Sequence, residues 1–389
     1  MLRVVLAALI ALSVPVLIGA GCGITPPAVD LTEEEQTLFD ELEPGAEAAS
    51  AGALAFEDLV ASGDVDPVGK LIASLRQRDD VASATTSIDE STVIVEMTNG
   101  ETISVFTDAK DRAEWAAAPA KALRFDAPRI TGPINRAAGD RKVEVRMADV
   151  DDFIICDETS FPQSSKACIV LGFRSSFGQD VSKIRTPLER AGYDVQTLNL
   201  AGFSDAQTLL RTLSDCGVLY ISTHGGVGAH NGSSANLLAT EIEIPSGDPA
   251  AFATQVQQAA QTFGADEVKN LFSITAANGR SYWALTPEFF SRAAYKGTMV
   301  YIDACQSDTA VASGGQQLRD AFLDNGAGAF IGWSDSISTK FSNPATEKIV
   351  DGLAPADFGV ENIVITTTPS NPSARESYLP TVQVQPPAA

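Results

Sequence analysis

Residues Met299–Ser307 read MVYIDACQS, an apolar run that leads directly into an acid, an alanine and a cysteine. A short continuous apolar run is typical of a strand buried on both faces of a parallel sheet. Four further runs share this character: CIVLGF (168–173), DVQTLNL (194–200), GVLYIS (217–222) and GAFIGW (328–333). Helical patterns at about 180–191, 205–213, 287–294 and 316–324 separate them. The alternation predicts an α/β domain with a doubly wound, mostly parallel sheet.

Composition limits the function classes. The chain has 389 residues, of which 44% are hydrophobic, so it can bury a substantial core and hold more than one domain. Its 50 acidic and 27 basic residues give a formal net charge of −23, which repels phosphate backbones and disfavours nucleic acid as a partner. We interpret the acidity as an aid to solubility in a salty or extracellular medium rather than as calcium binding, because no EF-hand-like loop is present.

The N-terminus has the features of an export signal. A short basic start precedes an apolar segment that is too short and too interrupted by proline for a comfortable membrane span. The segment IGAGC (18–22) resembles a bacterial lipoprotein signal, which implies a signal peptide at 1–21 and lipidation of Cys22. This resemblance predicts a lipid-anchored protein of the bacterial cell envelope, in the outer membrane where the host has one. Gly19 replaces the usual aliphatic residue, so plain secretion or an uncleaved anchor stays open.

The other four cysteines are Cys156, Cys168, Cys216 and Cys305. Export permits disulfides, and any two of the first three can pair; the sequence does not choose between them. Cys305 differs in context, because it follows the acid and alanine at a strand end. No metal site is expected, since the chain has only two histidines and no CxxC pair, and no cofactor is expected either.

The remaining segments suggest further units. Acidic, alanine-rich helices up to about Leu75 and a hairpin about Asn99-Gly100 predict a small α+β N-terminal domain at 22–112. Residues 113–165 are interpreted as a linker or arm, 166–365 as the main α/β domain and 366–389 as a loosely ordered tail.

Chemistry is expected where the strands end, because ligands of doubly wound sheets bind beyond the carboxyl ends of the strands. His224 and Gly225 follow the strand at 217–222, and Cys305 follows the strand that begins at Met299. A free thiol has a pKa of about 8.5, and a nearby imidazole makes its thiolate more available as a nucleophile. Gly225 lacks a Cβ, so its N–H can join that of Cys305 in binding the oxyanion of a tetrahedral intermediate.

The segments YISTHGG (220–226) and VYIDACQS (300–307) together resemble the caspase-like cysteine peptidases, which include caspases, gingipains, clostripain, legumains and metacaspases. In these proteins one apolar strand ends in His-Gly and a later one ends in Ala-Cys. The resemblance covers about residues 166–362, including the Gly-rich strand in NGAGAFIGWSDS (325–336). It implies that His224 is the general base, that Cys305 is the nucleophile, and that the substrate is a protein or peptide.

The resemblance also places Asp303 in the pocket for the side chain that precedes the scissile bond. A carboxylate there favours Arg, which it can bind bidentately, or Lys. Asp335 is expected to line the same pocket, and Trp333 is expected to offer a stacking face for a guanidinium. Arg174 opposes this prediction, because it can neutralise Asp303 or select acidic residues. We expect a preference for basic residues.

The long connection between His224 and Pro287 predicts a helix over 248–263 and a hairpin over 272–285 about Asn278-Gly279, which we expect to border the substrate groove.

Three other functions are alternatives to a peptidase. A serine hydrolase is disfavoured because no G-x-S-x-G elbow occurs, and a dinucleotide site because GAGAFIG (326–332) precedes its strand instead of following it. A caspase-like scaffold that binds or senses a partner without catalysis stays open. The N-terminal unit then fits a partner-binding module, although a shield over the site or a stabilising shell fits equally well.

Overall fold

The computed structural model describes residues 29–87, 91–107, 162–173, 180–311, 314–334, 336–337, 342–343, 345–347 and 349–350, and the backbone of three further strands at 143–146, 153–156 and 380–384. The helices of these regions are α1 (Glu33–Ala61), α2 (Pro67–Leu75), α3 (Val181–Arg190), α4 (Phe203–Thr212), α5 (Pro249–Phe263), α6 (Ala265–Leu271), α7 (Pro287–Ser291) and α8 (Leu318–Leu323). The strands are β1 (Val81–Thr86), β2 (Thr92–Met97), β3 (Thr102–Phe106), β4 (Val143–Arg146), β5 (Phe153–Cys156), β6 (Lys166–Leu171), β7 (Asp194–Asn199), β8 (Cys216–Ser222), β9 (Gly225–His230), β10 (Ser233–Ile244), β11 (Phe272–Ala277), β12 (Arg280–Leu285), β13 (Met299–Asp303), β14 (Ala329–Trp333) and β15 (Pro380–Val384).

The predicted α/β sheet is present. Five strands run parallel in the order β7-β6-β8-β13-β14, and β15 is added antiparallel at the β14 edge. Successive residues of β6 enter different hydrophobic clusters, Ala167 and Ile169 on one face and Cys168 and Val170 on the other. The central strands of the sheet are therefore buried on both faces, which explains their continuous apolar runs. The edge strand β7 is the exception, because it alternates between exposed and partly buried residues over most of its length.

A disulfide joins Cys168 of β6 to Cys216 of β8, with 5.8 Å between their Cα atoms. Both residues are buried between neighbouring strands. Of the pairings that the sequence left open, the structure contains this one. Cys305 is not in a disulfide, and for Cys156 only the strand backbone is described.

A second sheet has the order β1-β2-β3-β11-β12-β10-β9. Its first three strands come from the predicted N-terminal unit and the other four from the chain after His224. The two groups meet where β3 pairs in parallel with β11. Ser50 of α1 also shares a buried hydrogen bond of 2.7 Å with Ser281 of β12. The N-terminal unit therefore has no sheet of its own, because the edge that β3 would expose is paired.

The edge of β9 that does not pair with β10 lies against β2 and β3. A Cβ on Gly228 would come within 2.1 Å of the Ser104 hydroxyl oxygen, so the two strands approach too closely for a side chain at that position. The chain that follows His224 is consequently held between the N-terminal strands and the end of the parallel sheet.

Several predictions concern residues outside the described regions: the signal at 1–21, Cys22, Arg174, Asp335 and most of the 113–165 and 366–389 segments. Two short strands, β4 and β5, pair within the predicted linker, and β15 forms part of the tail that was expected to be loosely ordered. In the described part of the chain, no helix combines the length and apolar character that a bilayer span requires.

Candidate active site

The strands that precede His224 and Cys305 are direct neighbours. In the parallel pairing of β8 with β13, Ser222 lies opposite Asp303, and the Thr223 N–H donates to the Asp303 carbonyl at 3.3 Å. His224 and Cys305 each lie two residues beyond these paired positions. Both are partly exposed at the carboxyl edge of the sheet, which is where doubly wound folds place their ligands.

Gly225 packs directly against the cysteine. A Cβ at this position would lie 2.8 Å from the Cys305 carbonyl oxygen and 2.9 Å from the Ala304 Cβ. Real Cβ atoms do not approach other atoms so closely, so the contact requires glycine. The residue that follows His224 is thereby held in contact with the Cys305 backbone.

The backbone of β9 directs N–H groups towards the loop that follows β13. On the edge that does not pair with β10, Val227 N–H donates to Gln306 Oε1 at 2.8 Å and Ala229 N–H donates to Ser104 Oγ at 3.2 Å. Backbone N–H groups alternate in direction along a strand, so every second residue points to the same edge. By this alternation the Gly225 N–H points to the edge where the cysteine loop lies.

The Cys305 sulfur is flanked by the backbone of one residue, Ile337. The Ile337 N–H donates to Sγ at 3.3 Å, and the Ile337 carbonyl oxygen lies 3.5 Å from the same atom. An N–H group aimed at sulfur can stabilise negative charge there. This arrangement suits a residue that alternates between thiol and thiolate.

Gln306, the next residue, has a left-handed backbone with φ of 54° and is buried. Such a conformation costs a non-glycine residue about 1–2 kcal/mol and persists only where its surroundings hold it. Besides accepting from Val227, its side chain donates to Ser91 Oγ at 2.6 Å, and its carbonyl accepts from Asn236 Nδ2 at 3.0 Å. The N-terminal unit, through Ser91, therefore helps to fix the backbone beside Cys305.

The His224 ring is contacted from two sides. Asn278, at the turn between β11 and β12, places Nδ2 3.0 Å from His224 Nε2. The Phe173 ring meets the imidazole edge-on, with 4.7 Å between ring centroids. The predicted hairpin thus reaches the histidine, while its place beside a substrate groove stays a prediction. Sequence reasoning missed Asn278 and Phe173 as site residues: Asn-Gly indicated a turn, and no local pattern links that turn to His224.

The chain matches no family model and no curated protein. The residues around His224 and Cys305 therefore carry the functional interpretation.

Asp303 and Trp333 do not line an open pocket in this conformation. The Asp303 carboxylate is buried and accepts from Tyr220 Oη at 3.1 Å, Trp333 Nε1 at 3.1 Å and Thr346 Oγ1 at 3.2 Å. Burial raises the pKa of Asp303, and these hydrogen bonds oppose the rise. Trp333 is only 2% exposed, so its ring offers no free stacking face here.

The predicted substrate-binding roles of Asp303 and Trp333 remain predictions, as do those of Arg174 and Asp335, which lie outside the described residues. The second histidine, His230, is buried with Nε2 3.1 Å from the Asn270 carbonyl oxygen, which fits a structural role. Within the described regions, no three His, Cys, Asp or Glu residues are grouped as a metal site would require.

Proposed function

We propose that this chain is a caspase-like cysteine endopeptidase, a hydrolase in which Cys305 is the nucleophile and His224 the general base. One observation carries the proposal: Gly225, which directly follows His224, packs against the Cys305 backbone at the carboxyl edge of two adjacent parallel strands. The close contact explains why a glycine follows the histidine.

The proposed reaction uses groups that this chain supplies. His224 removes the proton of the Cys305 thiol, and the sulfur attacks the carbonyl carbon of the scissile peptide bond. The N–H groups of Gly225 and Cys305 stabilise the oxyanion, in line with the edge to which the Gly225 N–H points. His224 then gives its proton to the leaving amine, and water hydrolyses the acyl-enzyme, which restores the thiol.

We further propose cleavage after a basic residue, recognised by Asp303. The neutral side chains of Tyr220, Trp333 and Thr346 already donate to this carboxylate, which is buried. An incoming guanidinium must therefore displace the Trp333 indole and take over its hydrogen bond. The guanidinium of an Arg side chain can donate two hydrogen bonds to the carboxylate in place of the single one from Trp333, which offsets the loss of that bond. A panel of fluorogenic peptides with Arg, Lys, Asp and Asn before the scissile bond tests this preference, and faster cleavage after Asp than after Arg excludes it.

Export and lipid anchoring through Cys22 complete the proposal, which places the enzyme in the bacterial cell envelope. The buried Cys168–Cys216 disulfide supports export, because such bonds persist in oxidising compartments.

A non-catalytic scaffold that binds or senses a partner is the second candidate. The covered Asp303 favours it, since a peptide side chain does not reach this buried carboxylate in the present conformation. An irreversible peptidyl probe of caspase-like peptidases separates the two functions. A peptidase becomes labelled at Cys305, whereas a scaffold does not.

The direct test of the peptidase uses Cys305→Ala and His224→Ala. Both variants should lose peptide cleavage by at least about 100-fold, the size of a general acid–base contribution, and keep the midpoint of urea unfolding. His230→Asn is the matched control, because it replaces the other histidine outside the proposed dyad. Full cleavage by Cys305→Ala rejects the proposed nucleophile.

A further inference from the structure

Asn278 stands at the turn of the β11–β12 hairpin, with φ of 52° followed by 74° at Gly279. This left-handed pair is the geometry for which Asn-Gly is preferred in tight hairpins. The turn brings the Asn278 carboxamide to within 3.0 Å of His224 Nε2. The polar end of the hairpin therefore meets the imidazole of the proposed base.

The hairpin contacts His224 a second time through Phe173. Tyr282 of β12 packs edge-on against the Phe173 ring at 4.8 Å, and Phe173 packs edge-on against His224 at 4.7 Å. Phe173 has a left-handed backbone, with φ of 55°. One hairpin thus restrains the imidazole both by a hydrogen bond and by an aromatic contact.

The hairpin is itself fixed to the long N-terminal helix. Ser281 shares its buried hydrogen bond with Ser50 of α1. Gly279 lies so close to Glu57 of the same helix that a Cβ would come within 3.2 Å of Glu57 Cγ. The position of Asn278 is therefore set by packed elements.

The tautomer of the imidazole decides what this contact does. Nε2 faces Asn278, so in the proposed dyad Nδ1 is the nitrogen that takes the proton from Cys305. Nδ1 can accept that proton only when the neutral ring carries its hydrogen on Nε2. In the structure the amide nitrogen Nδ2 faces Nε2. The two ends of a carboxamide have the same shape, and a half-turn about its terminal bond brings Oδ1 to that position instead.

We infer that Asn278 is the positioning residue of the dyad: its carboxamide oxygen accepts a hydrogen bond from His224 Nε2–H and keeps Nδ1 unprotonated towards Cys305. This inference rests on the proposed function. The same hydrogen bond persists when the ring becomes an imidazolium, because Nε2 then still carries its hydrogen. Asn278 therefore holds the ring in one orientation through the whole proton transfer.

The test compares two substitutions that preserve the turn. Asn278→Gly keeps the left-handed backbone and removes the side chain, whereas Asn278→Asp keeps an oxygen acceptor. The chain also contains a matched control: Asn231 has φ of 49°, precedes Gly232 and lies 3.1 Å from Nε2 of His230. Asn231→Gly removes the same kind of contact at the histidine outside the dyad.

The first readout does not depend on peptide cleavage. The chain has only two histidines, so ¹⁵N-histidine NMR shows two imidazoles, and His230→Asn assigns them. We expect His224 to carry its hydrogen on Nε2 in the wild type and in Asn278→Asp, and to become a mixture of tautomers in Asn278→Gly. Asn231→Gly should leave His224 unchanged.

The second readout is kinetic. Asn278→Gly should lower kcat by about 10- to 100-fold with little change in KM, since a small misplacement of a catalytic group costs rate rather than binding. Asn278→Asp should recover most of that loss. A His224 tautomer that is the same in wild type and Asn278→Gly overturns the inference. If the wild type cleaves no peptide, the proposed function is wrong. The change of the His224 tautomer between wild type and Asn278→Gly then tests by itself whether Asn278 accepts a hydrogen bond from Nε2–H.

Discussion

Gly225→Ala is the substitution that probes the geometry of the candidate site most locally. The added Cβ would lie 2.8 Å from the Cys305 carbonyl oxygen, 2.9 Å from the Ala304 Cβ and 3.3 Å from the Leu237 carbonyl oxygen. Carbon atoms pack best at about 3.5–4.0 Å, so β9 and the cysteine loop must separate by about 0.6 Å or more. Two of the three obstructing atoms belong to the backbone and cannot rotate away.

This displacement has a cost in stability and in rate. Overpacking of a buried contact costs about 1–3 kcal/mol of unfolding free energy. Misplacement of a reacting group by about 1 Å can cost about 100-fold in rate. We therefore expect Gly225→Ala to lower kcat/KM by about 100-fold, and urea unfolding to show a loss of about 1–3 kcal/mol.

Gly228→Ala separates the two effects. It adds a methyl group to the same strand, against Ser104 instead of Cys305. We expect it to destabilise the fold by a similar amount and to retain most of the peptidase activity of the molecules that stay folded. The reasoning is refuted if Gly225→Ala keeps wild-type kcat/KM, or if both variants lose activity equally while folded.

Four more predictions follow from other parts of the chain. Removal of the Cys168–Cys216 disulfide, which spans 48 positions of sequence, should lower the unfolding free energy by about 4 kcal/mol on the loop-entropy model, and an unchanged urea midpoint contradicts this. Burial raises the pKa of Glu101 well above its usual range, so its contribution to stability falls as the pH rises above its unfolded pKa of about 4.3. Glu101→Gln should therefore gain stability relative to wild type between pH 4 and pH 8, whereas an advantage that is constant with pH argues against the buried carboxyl. Asp303→Asn should slow cleavage after Arg more than cleavage after Asn. Equal slowing of both would show that Asp303 does not bind the substrate side chain. Cys22→Ser should release the protein from membranes, as fractionation can measure; a variant that stays membrane-bound excludes lipidation at Cys22.

The sequence predicts the local structure of the α/β domain well, because most strands are short apolar runs and the helices between them have their own hydrophobic period. The five apolar runs became β6, β7, β8, β13 and β14, and the two Asn-Gly hairpins formed about Asn99 and Asn278. The neighbouring ends of β8 and β13 also follow from topology, since parallel strands of one sheet end at the same edge.

Contacts between distant segments could not be predicted in this way. The parallel pairing of β3 with β11 joins two regions that each show an ordinary strand pattern, and a period does not specify a partner. The Asn278–His224 contact depends on that second sheet, as does the hydrogen bond between Ser91 and Gln306. The choice of Cys168 and Cys216 as the disulfide pair depends on β6 and β8 being neighbours.

The covered position of Asp303 has a related cause. Side chains two residues apart in a strand share a face, so Asp303 lies on the face that also buries Tyr301. Trp333 of β14 lies on the same face and reaches the carboxylate. The sequence places an acid two residues before the cysteine, but whether that acid meets solvent depends on a side chain 30 residues further along the chain.

The most direct test of the dyad is the rate at which iodoacetamide alkylates Cys305 at pH 6, followed by mass spectrometry of the peptide that contains it. A free cysteine with a pKa of about 8.5 is almost wholly protonated at that pH and reacts slowly. A thiol paired with His224 should react at least about tenfold faster, and His224→Ala should abolish the difference while His230→Asn retains it. Equal rates in the wild type and in His224→Ala would contradict the dyad.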